Sequence, residues 1–266
     1  MKKITVPDIV RMKVERRKIA VLTAYNYPMA RILDCAGIPV VLVGDSLGMV
    51  EAGYSTTLPV TMDEMVYHTR MVKKACGVSL VLADMPFMSY QVSPEEGMRN
   101  SGRLVKEGGA EAVKVEGGKR AAHTIRAIVD IDIPVMGHIG LTPQSIHRMG
   151  GYKVQGRGKE ARERLLEDAR AVEAAGAFSI VLEAIPAELA GEITGILKIP
   201  TIGIGAGPGC DGQVLVLNDI LGLGGEGKRP RFVKRYANLE EVIEKAVTDY
   251  KKDVEEGRFP SEEHSY

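Results

Sequence analysis

Six short apolar runs in this 266-residue chain each end in residues able to do chemistry, and five of them end in ionisable ones. PVVLVGDS supplies Asp45 with Ser46, SLVLADM supplies Asp84, and AEAVKVEG supplies Lys114 and Glu116. IPVMGHIG supplies His138, FSIVLEA supplies Glu183, and IPTIGIGAGPG runs into a glycine-rich turn at Gly203 to Gly209. Two carboxylates that converge in a partly buried site repel unless a proton or a cation lies between them. Hard carboxylate oxygens with few His or Cys neighbours favour Mg²⁺ over zinc. Asp45, Asp84 and Glu116 are therefore candidate metal ligands; the competing account makes each aspartate a turn or cap residue after its strand.

Lys114 and Glu116 are two residues apart, so on a strand their side chains share a face. An inward-facing Lys and Glu need partners to be buried. Either they form a structural ion pair, or Lys114 neutralises an anionic substrate while Glu116 reaches the metal directly or through a water. Glu183 has no basic residue near it in sequence. It is a candidate general base, or else a solvated loop glutamate. His138 has a supporting place, as a hydrogen-bond donor to substrate or to a neighbouring carboxylate.

What must position these residues is a set of strands alternating with helices. A helix is expected around Pro7 to Arg16, then strand one as KIAVLTAY and a helix from Pro28 to Ala36, stopped by Gly37 and Pro39. A helix capped by Asp63 runs through MVYHTRMVKKAC, and Ser93 with Glu96 fits a capping box opening the next. Further helices are expected over Lys119–Val129, Lys159–Ala175, Ala187–Leu197 and Leu239–Glu256, with QVLVLNDILGL as strand eight. Eight strand–helix steps fit a closed parallel (β/α)8 barrel, a TIM barrel, better than an open doubly wound sheet. Such a barrel gathers the C-terminal ends of its strands into one mouth, where active sites lie. One domain over residues 1–266 is expected, with an N-terminal helix and a mobile tail RFPSEEHSY.

Composition narrows the class. Hydrophobic residues at 45% and charged residues at 26% suit a globular protein. Lys plus Arg equals Asp plus Glu at 35 each, so no net field favours nucleic acid or an anionic membrane. No apolar stretch approaches the roughly 18 to 20 residues of a membrane span, and MKKITVPDIVRMKVERRK lacks the apolar core of a signal peptide. Cytoplasmic residence is the expectation. Cys35, Cys76 and Cys210 show no metal-binding spacing. GIGAGPGCDG lacks the Lys-Ser/Thr of a P-loop and allows either close approach to a flat ligand or a tight barrel corner. MGGYKVQGRG, within the connection Leu141–Gly158, is either a solvated loop or a lid.

Several strings extend beyond the candidate residues: LTAYNYPMA, VLVGDSLGMV, LPVTMDEM, LVLADMPFMSY, VKVEGG, MGHIGLTPQS, VLEAIP and IPTIGIGAGPGCDGQVLV. Together the chain resembles the ketopantoate hydroxymethyltransferases, metal-dependent barrels of the phosphoenolpyruvate-utilising superfamily. The resemblance implies Asp45 and Asp84 as Mg²⁺ ligands and Glu116 as the third acidic position at the metal. It implies Ser46, Asp45, Asp84 and Lys114 as substrate contacts and Glu183 as the proton acceptor. The implied reaction takes 5,10-methylenetetrahydrofolate, water and 3-methyl-2-oxobutanoate to 2-dehydropantoate and tetrahydrofolate, through a Mg²⁺-stabilised enolate, in pantothenate biosynthesis. It also implies a homo-oligomer, commonly a decamer. The loop EAGYSTT and the C-terminal tail carry the least of the likeness.

Three other readings use the same residues. A carbon–carbon or phosphorus–carbon lyase or mutase of the same superfamily would share the metal-enolate chemistry, but many such lyases carry a cysteine-containing loop after a lysine, which this chain lacks. A metal-free aldolase would make Lys114 a Schiff-base nucleophile. A non-catalytic barrel would bind a 2-oxo acid as a sensor.

Overall fold

Every strand of the sheet is short, apolar and flanked by glycine, proline or polar turns. The computed structural model, which describes residues 2–224 and 230–266, arranges eight such strands as a closed parallel barrel in sequence order. The elements are α1 (Val6–Val14), β1 (Ile19–Thr23), α2 (Tyr27–Cys35), β2 (Val40–Val43), α3 (Leu47–Val50), α4 (Met62–Ala75) and β3 (Leu80–Asp84). They continue with α5 (Pro94–Arg103), β4 (Ala112–Glu116), α6 (Ala122–Val129), β5 (Val135–Gly140), α7 (Ile146–Met149) and α8 (Lys159–Ala174). The last are β6 (Ser179–Glu183), α9 (Ala187–Ile196), β7 (Thr201–Ile204), β8 (Gly212–Leu215), α10 (Leu217–Leu221) and α11 (Leu239–Glu255). The (β/α)8 barrel expected from the sequence is the fold observed.

Period-two alternation sorts each strand into two faces. Ile19, Val21, Val40, Leu42, Leu80, Leu82, Ala112, Met136, Val181, Ile202 and Val214 form one core cluster, joined by Ile9 and Met12 of α1. The alternate residues Val41, Val43, Val81, Ala83, Val113, Val115, Ile180 and Leu182 are also fully buried. The strands are thus buried on both faces, which is why they read as continuous apolar runs. The lower barrel is a packed core floored by α1. Its upper layer carries Asp84, Lys114, Glu116 and His138.

Several boundaries differ from the sequence reading. Thr61, not Asp63, caps α4: its hydroxyl accepts from Glu64 N at 3.2 Å while the Glu64 carboxylate accepts from Thr61 N at 2.7 Å. Ser93 does cap α5, but Glu96 turns its carboxylate to Asn100 instead of closing the box. Strand eight ends at Leu215, and the residues after it turn into α10. The Leu141–Gly158 connection holds a 3-10 turn at Pro143–Ser145 and α7. Helix α3 has no counterpart in the sequence reading, since its four residues are too few to show a period.

Contacts group Met1–Val216 into one compact unit and Leu217–Tyr266 into another, a boundary the sequence reading did not draw. Within the second unit the tail makes local ring contacts. The Phe259 ring lies 5.7 Å from Tyr250 and 5.1 Å from His264, and a 3-10 turn spans Glu262–His264.

Candidate active site

Two residues above the apolar layer, the same alternation brings polar side chains to the barrel mouth. Register pairs Asp84 with Lys114, Glu116 with His138 and Gly140 with Glu183, all at or near the C-terminal ends of β3 to β6. Asp45 follows β2 by two residues and is buried with Asp84, Lys114, Glu116 and His138. Gly44 makes that turn possible: a Cβ there would lie 2.7 Å from Ser46 Oγ and 3.5 Å from Asp84 Oδ2. The structure therefore brings Asp45, Ser46, Asp84, Lys114, Glu116 and Glu183 to one mouth.

The acids outnumber the cation. Asp45 N donates to Asp84 Oδ2 at 3.1 Å, Lys114 Nζ lies 3.2 Å from Asp84 Oδ1, and its distance to Glu116 Oε1 is 4.0 Å. Asp84 Oδ1 and Glu116 Oε1 are buried with no aligned hydrogen bond: Lys114 lies beside the first as an ion-pair partner, and His138 Nδ1 is 3.5 Å from the second. Burial, with the Asp84 charge beside it, pushes the Asp45 carboxyl up to about 7. Burial also drives Glu116 well above the usual carboxylate range, Asp45 and Asp84 adding to it and Lys114 opposing. Burial alone would lower Lys114, but Asp84, Glu116 and Asp45 outweigh it and raise it, so it stays an ammonium.

That ammonium fixes the state of His138. Lys114 Nζ lies 3.2 Å from His138 Nδ1, and an ammonium has only protons to give. Nδ1 therefore accepts and the ring proton sits on Nε2. Burial first, and Lys114 next, hold the imidazole below its ordinary pKa, hence neutral at pH 7. The protonated Nε2 lies 3.1 Å from Glu183 Oε2, close but out of hydrogen-bonding alignment. His138, placed in a supporting position by the sequence, stands between Lys114 and Glu183. Ala184, directly after Glu183, is held at φ 48, a left-handed conformation that side chains other than glycine rarely adopt.

Three polar residues were missed as site members, although each lies in a string quoted above. Gln144, in the 3-10 turn after β5, donates to Asp45 Oδ2 at 2.8 Å. Tyr90 OH donates to Gln144 Oε1 at 2.7 Å and accepts from Glu116 N at 3.2 Å. Tyr25 OH lies 2.8 Å from Ser46 Oγ, so that hydroxyl already has a partner. Their signal in the sequence is weak, because a Gln in a loop or a Tyr after a strand marks no chemistry alone. The 141–158 connection runs near the site: Gln155 N donates to Ala184 O at 2.8 Å, and the Tyr152 phenol is pushed up by burial and by Glu183, Asp45 and Glu116. The glycine-rich turn is a barrel corner, where a Cβ on Gly207 would lie 2.5 Å from Ala187 Cβ of α9.

A parallel barrel with acids, an ammonium and a neutral histidine at its C-terminal mouth defines an α/β-barrel enzyme site. Comparison with known folds agrees on the architecture. Phosphoenolpyruvate phosphomutase from Streptomyces platensis subsp. rosaceus aligns with a TM-score of 0.62 at 16% identity, covering 95% of this chain and 88% of that one. A 2,3-dimethylmalate lyase, a member of the PEP mutase/isocitrate lyase superfamily, aligns at 0.61 and 16% identity over 98% and 91%. The chain matches the ketopantoate hydroxymethyltransferase family over residues 3–262. It is 64% identical to the 3-methyl-2-oxobutanoate hydroxymethyltransferase of Pelobacter propionicus, over 100% of this chain and 98% of the relative. It is 62% identical to that of Geobacter sulfurreducens, over 98% of each. The chain belongs to the ketopantoate hydroxymethyltransferase family and is an enzyme.

Proposed function

We propose that this enzyme transfers a hydroxymethyl group from 5,10-methylenetetrahydrofolate to 3-methyl-2-oxobutanoate, giving 2-dehydropantoate for pantothenate synthesis. The observation that carries the chemistry is the mouth itself, where buried acids with unsatisfied oxygens exceed the one ammonium and Glu183 stands beside a neutral imidazole. Buried acids in excess call for a cation, and their oxygens suit Mg²⁺. Among the described residues no group of three His, Cys, Asp or Glu could hold an ion. The fit is therefore to an ion held by Asp45 and Asp84, with substrate oxygens and water completing it and Glu116 reaching it through water. Bound there, Mg²⁺ would act as a Lewis acid on the 2-oxo acid.

The chain's own residues supply the rest. Lys114 balances the negative charge of the substrate, and Ser46, oriented by Tyr25, offers it a hydroxyl or a backbone N–H. Glu183 takes the proton from C3 as general base. His138, neutral and carrying its proton on Nε2, faces the Glu183 carboxylate at 3.1 Å and fixes its place at the mouth. Water supplies the oxygen of the new group: it adds to the methylene carbon of the folate, both C–N bonds break and tetrahydrofolate leaves. The carbon nucleophile forms the C–C bond to the one-carbon unit so released, whose oxygen takes up a proton. Homo-oligomeric assembly and cytoplasmic residence belong to the same reading, the first checked by native mass measurement.

The test is solvent deuterium exchange at C3 of 3-methyl-2-oxobutanoate, with Mg²⁺ present and folate absent. The wild type should exchange, and Glu183→Gln should lose about 10²–10⁴-fold in rate while still binding substrate. Unchanged exchange in that variant removes Glu183 from its role.

A further inference from the structure

We infer that Gln144 is a positioning residue that sets how Asp45 and Glu116 present themselves to a divalent cation. The inference rests on the metal-dependent reading above and deepens it.

Gln144 is buried in the 3-10 turn Pro143–Ser145, and its side-chain amide is fully used. Nε2 donates to Asp45 Oδ2 at 2.8 Å and to Met85 O at 2.9 Å. Oε1 accepts from Tyr90 OH at 2.7 Å and from Gln91 Nε2 at 3.0 Å. A flipped amide would set oxygen against two acceptors and NH₂ against two donors, so the surroundings permit one orientation. The backbone N of the same residue donates to Glu116 Oε2 at 3.0 Å. One residue therefore grips one oxygen of Asp45 and one of Glu116.

What it leaves ungripped points to a ligand. Glu116 Oε1 is buried with no aligned hydrogen bond, His138 Nδ1 lying 3.5 Å and Lys114 Nζ 4.0 Å away, while Asp84, held at Oδ2 by Asp45 N, has only Lys114 beside Oδ1, at 3.2 Å. Acids fixed through one oxygen with another left open are what outer partners produce around a cation. A residue serving only to fill the turn would need neither carboxylate.

Mn²⁺ is the probe, titrated into the purified full-length protein and followed by the electron paramagnetic resonance of the free ion, with no turnover required. Gln144→Met keeps the volume and removes the hydrogen bonds. It should weaken Mn²⁺ binding about 10–100-fold, the usual effect of losing an outer partner. Gln91→Ala, which removes a bond to Oε1 but leaves the amide on Asp45, should bind within about twofold of wild type, as a role outside the grip on the acids predicts. Should Gln144→Met fail to fold, Gln144→Asn, whose amide falls short of Asp45, must show the same weakening. Wild-type affinity in either folded variant, or equal weakening in Gln91→Ala, overturns the inference and leaves the proposed reaction standing. Absence of Mn²⁺ binding in the wild type itself overturns both.

Discussion

The mouth and the floor of the barrel are both built around buried or half-buried charge, and they treat it oppositely. At the floor, Asp211 precedes β8 and accepts from Lys13 Nζ at 2.7 Å and Thr201 N at 2.9 Å. Glu111 precedes β4 and is met by Lys3 at 2.7 Å, Lys73 at 3.1 Å and Val81 N at 2.9 Å. Although burial opposes it, those partners hold the Glu111 carboxyl below its ordinary range. At the mouth, Asp45 and Glu116 are pushed upward, and Asp84, Glu116 and Asp45 crowd around Lys114, with Asp84 Oδ1 and Glu116 Oε1 lacking an aligned hydrogen bond. Satisfied charge holds the bottom of the fold together. At the top, buried acids crowd around Lys114, and the fold bears the cost.

The contrast breaks if mouth and floor respond alike to substitution. The largest effect is expected from Asp84→Asn, which should lower kcat about 10³-fold, or about 4 kcal/mol of barrier. Its melting temperature without metal should not fall, because one of several crowded acids is gone. Asp211→Asn should do the reverse, keeping kcat within about twofold while costing about 2 kcal/mol of stability in urea, since its ion pair is only partly buried. Next, Lys114→Met should cost about 3–5 kcal/mol in urea unfolding of the metal-free protein, because it strands the acids without their only ammonium. Equal losses for Lys114→Met and Lys13→Met would erase the distinction between the two ends.

A pair of opposed pH slopes sharpens the comparison further. Asp45 titrates near 7 in the fold and near 3.9 when unfolded. Its contribution is therefore fully present below about pH 4 and is lost as pH rises toward 7. Glu111 is held low in the fold, so its contribution is present above its unfolded pKa of about 4.3 and is lost as pH falls below it. The stability difference between wild type and Asp45→Asn should then move against the wild type from pH 4 to 7. That between wild type and Glu111→Gln should move against it only at the acid end. Slopes of the same sign would remove the electrostatic contrast.

Much of this was legible before any coordinates. Doubly buried strands show as unbroken apolar runs, and Lys114 with Glu116, two apart on β4, had to share a face. Caps and short elements were less legible. Thr61 and Asp63 are equally good capping residue types, and choosing between them depends on where the chain bends. The eighth run reads as one long strand because QVLVL and NDILGL are both apolar, yet the chain leaves the strand after Leu215 and turns into a helix at Leu217.

The order of strands and helices, and the placing of Asp84, Lys114, Glu116, His138 and Glu183 at the strand ends, follow from local pattern, because burial on two faces and a period of two are properties of neighbouring residues. The joining of those groups into a site does not. Gln144 and Asp45 are 99 residues apart, and the proton on His138 Nε2 is placed there by Lys114 from the next strand. Contacts of that kind depend on strand register and on the path of a loop across the barrel mouth, which bring Gln144 to 2.8 Å from Asp45 and Lys114 to 3.2 Å from His138.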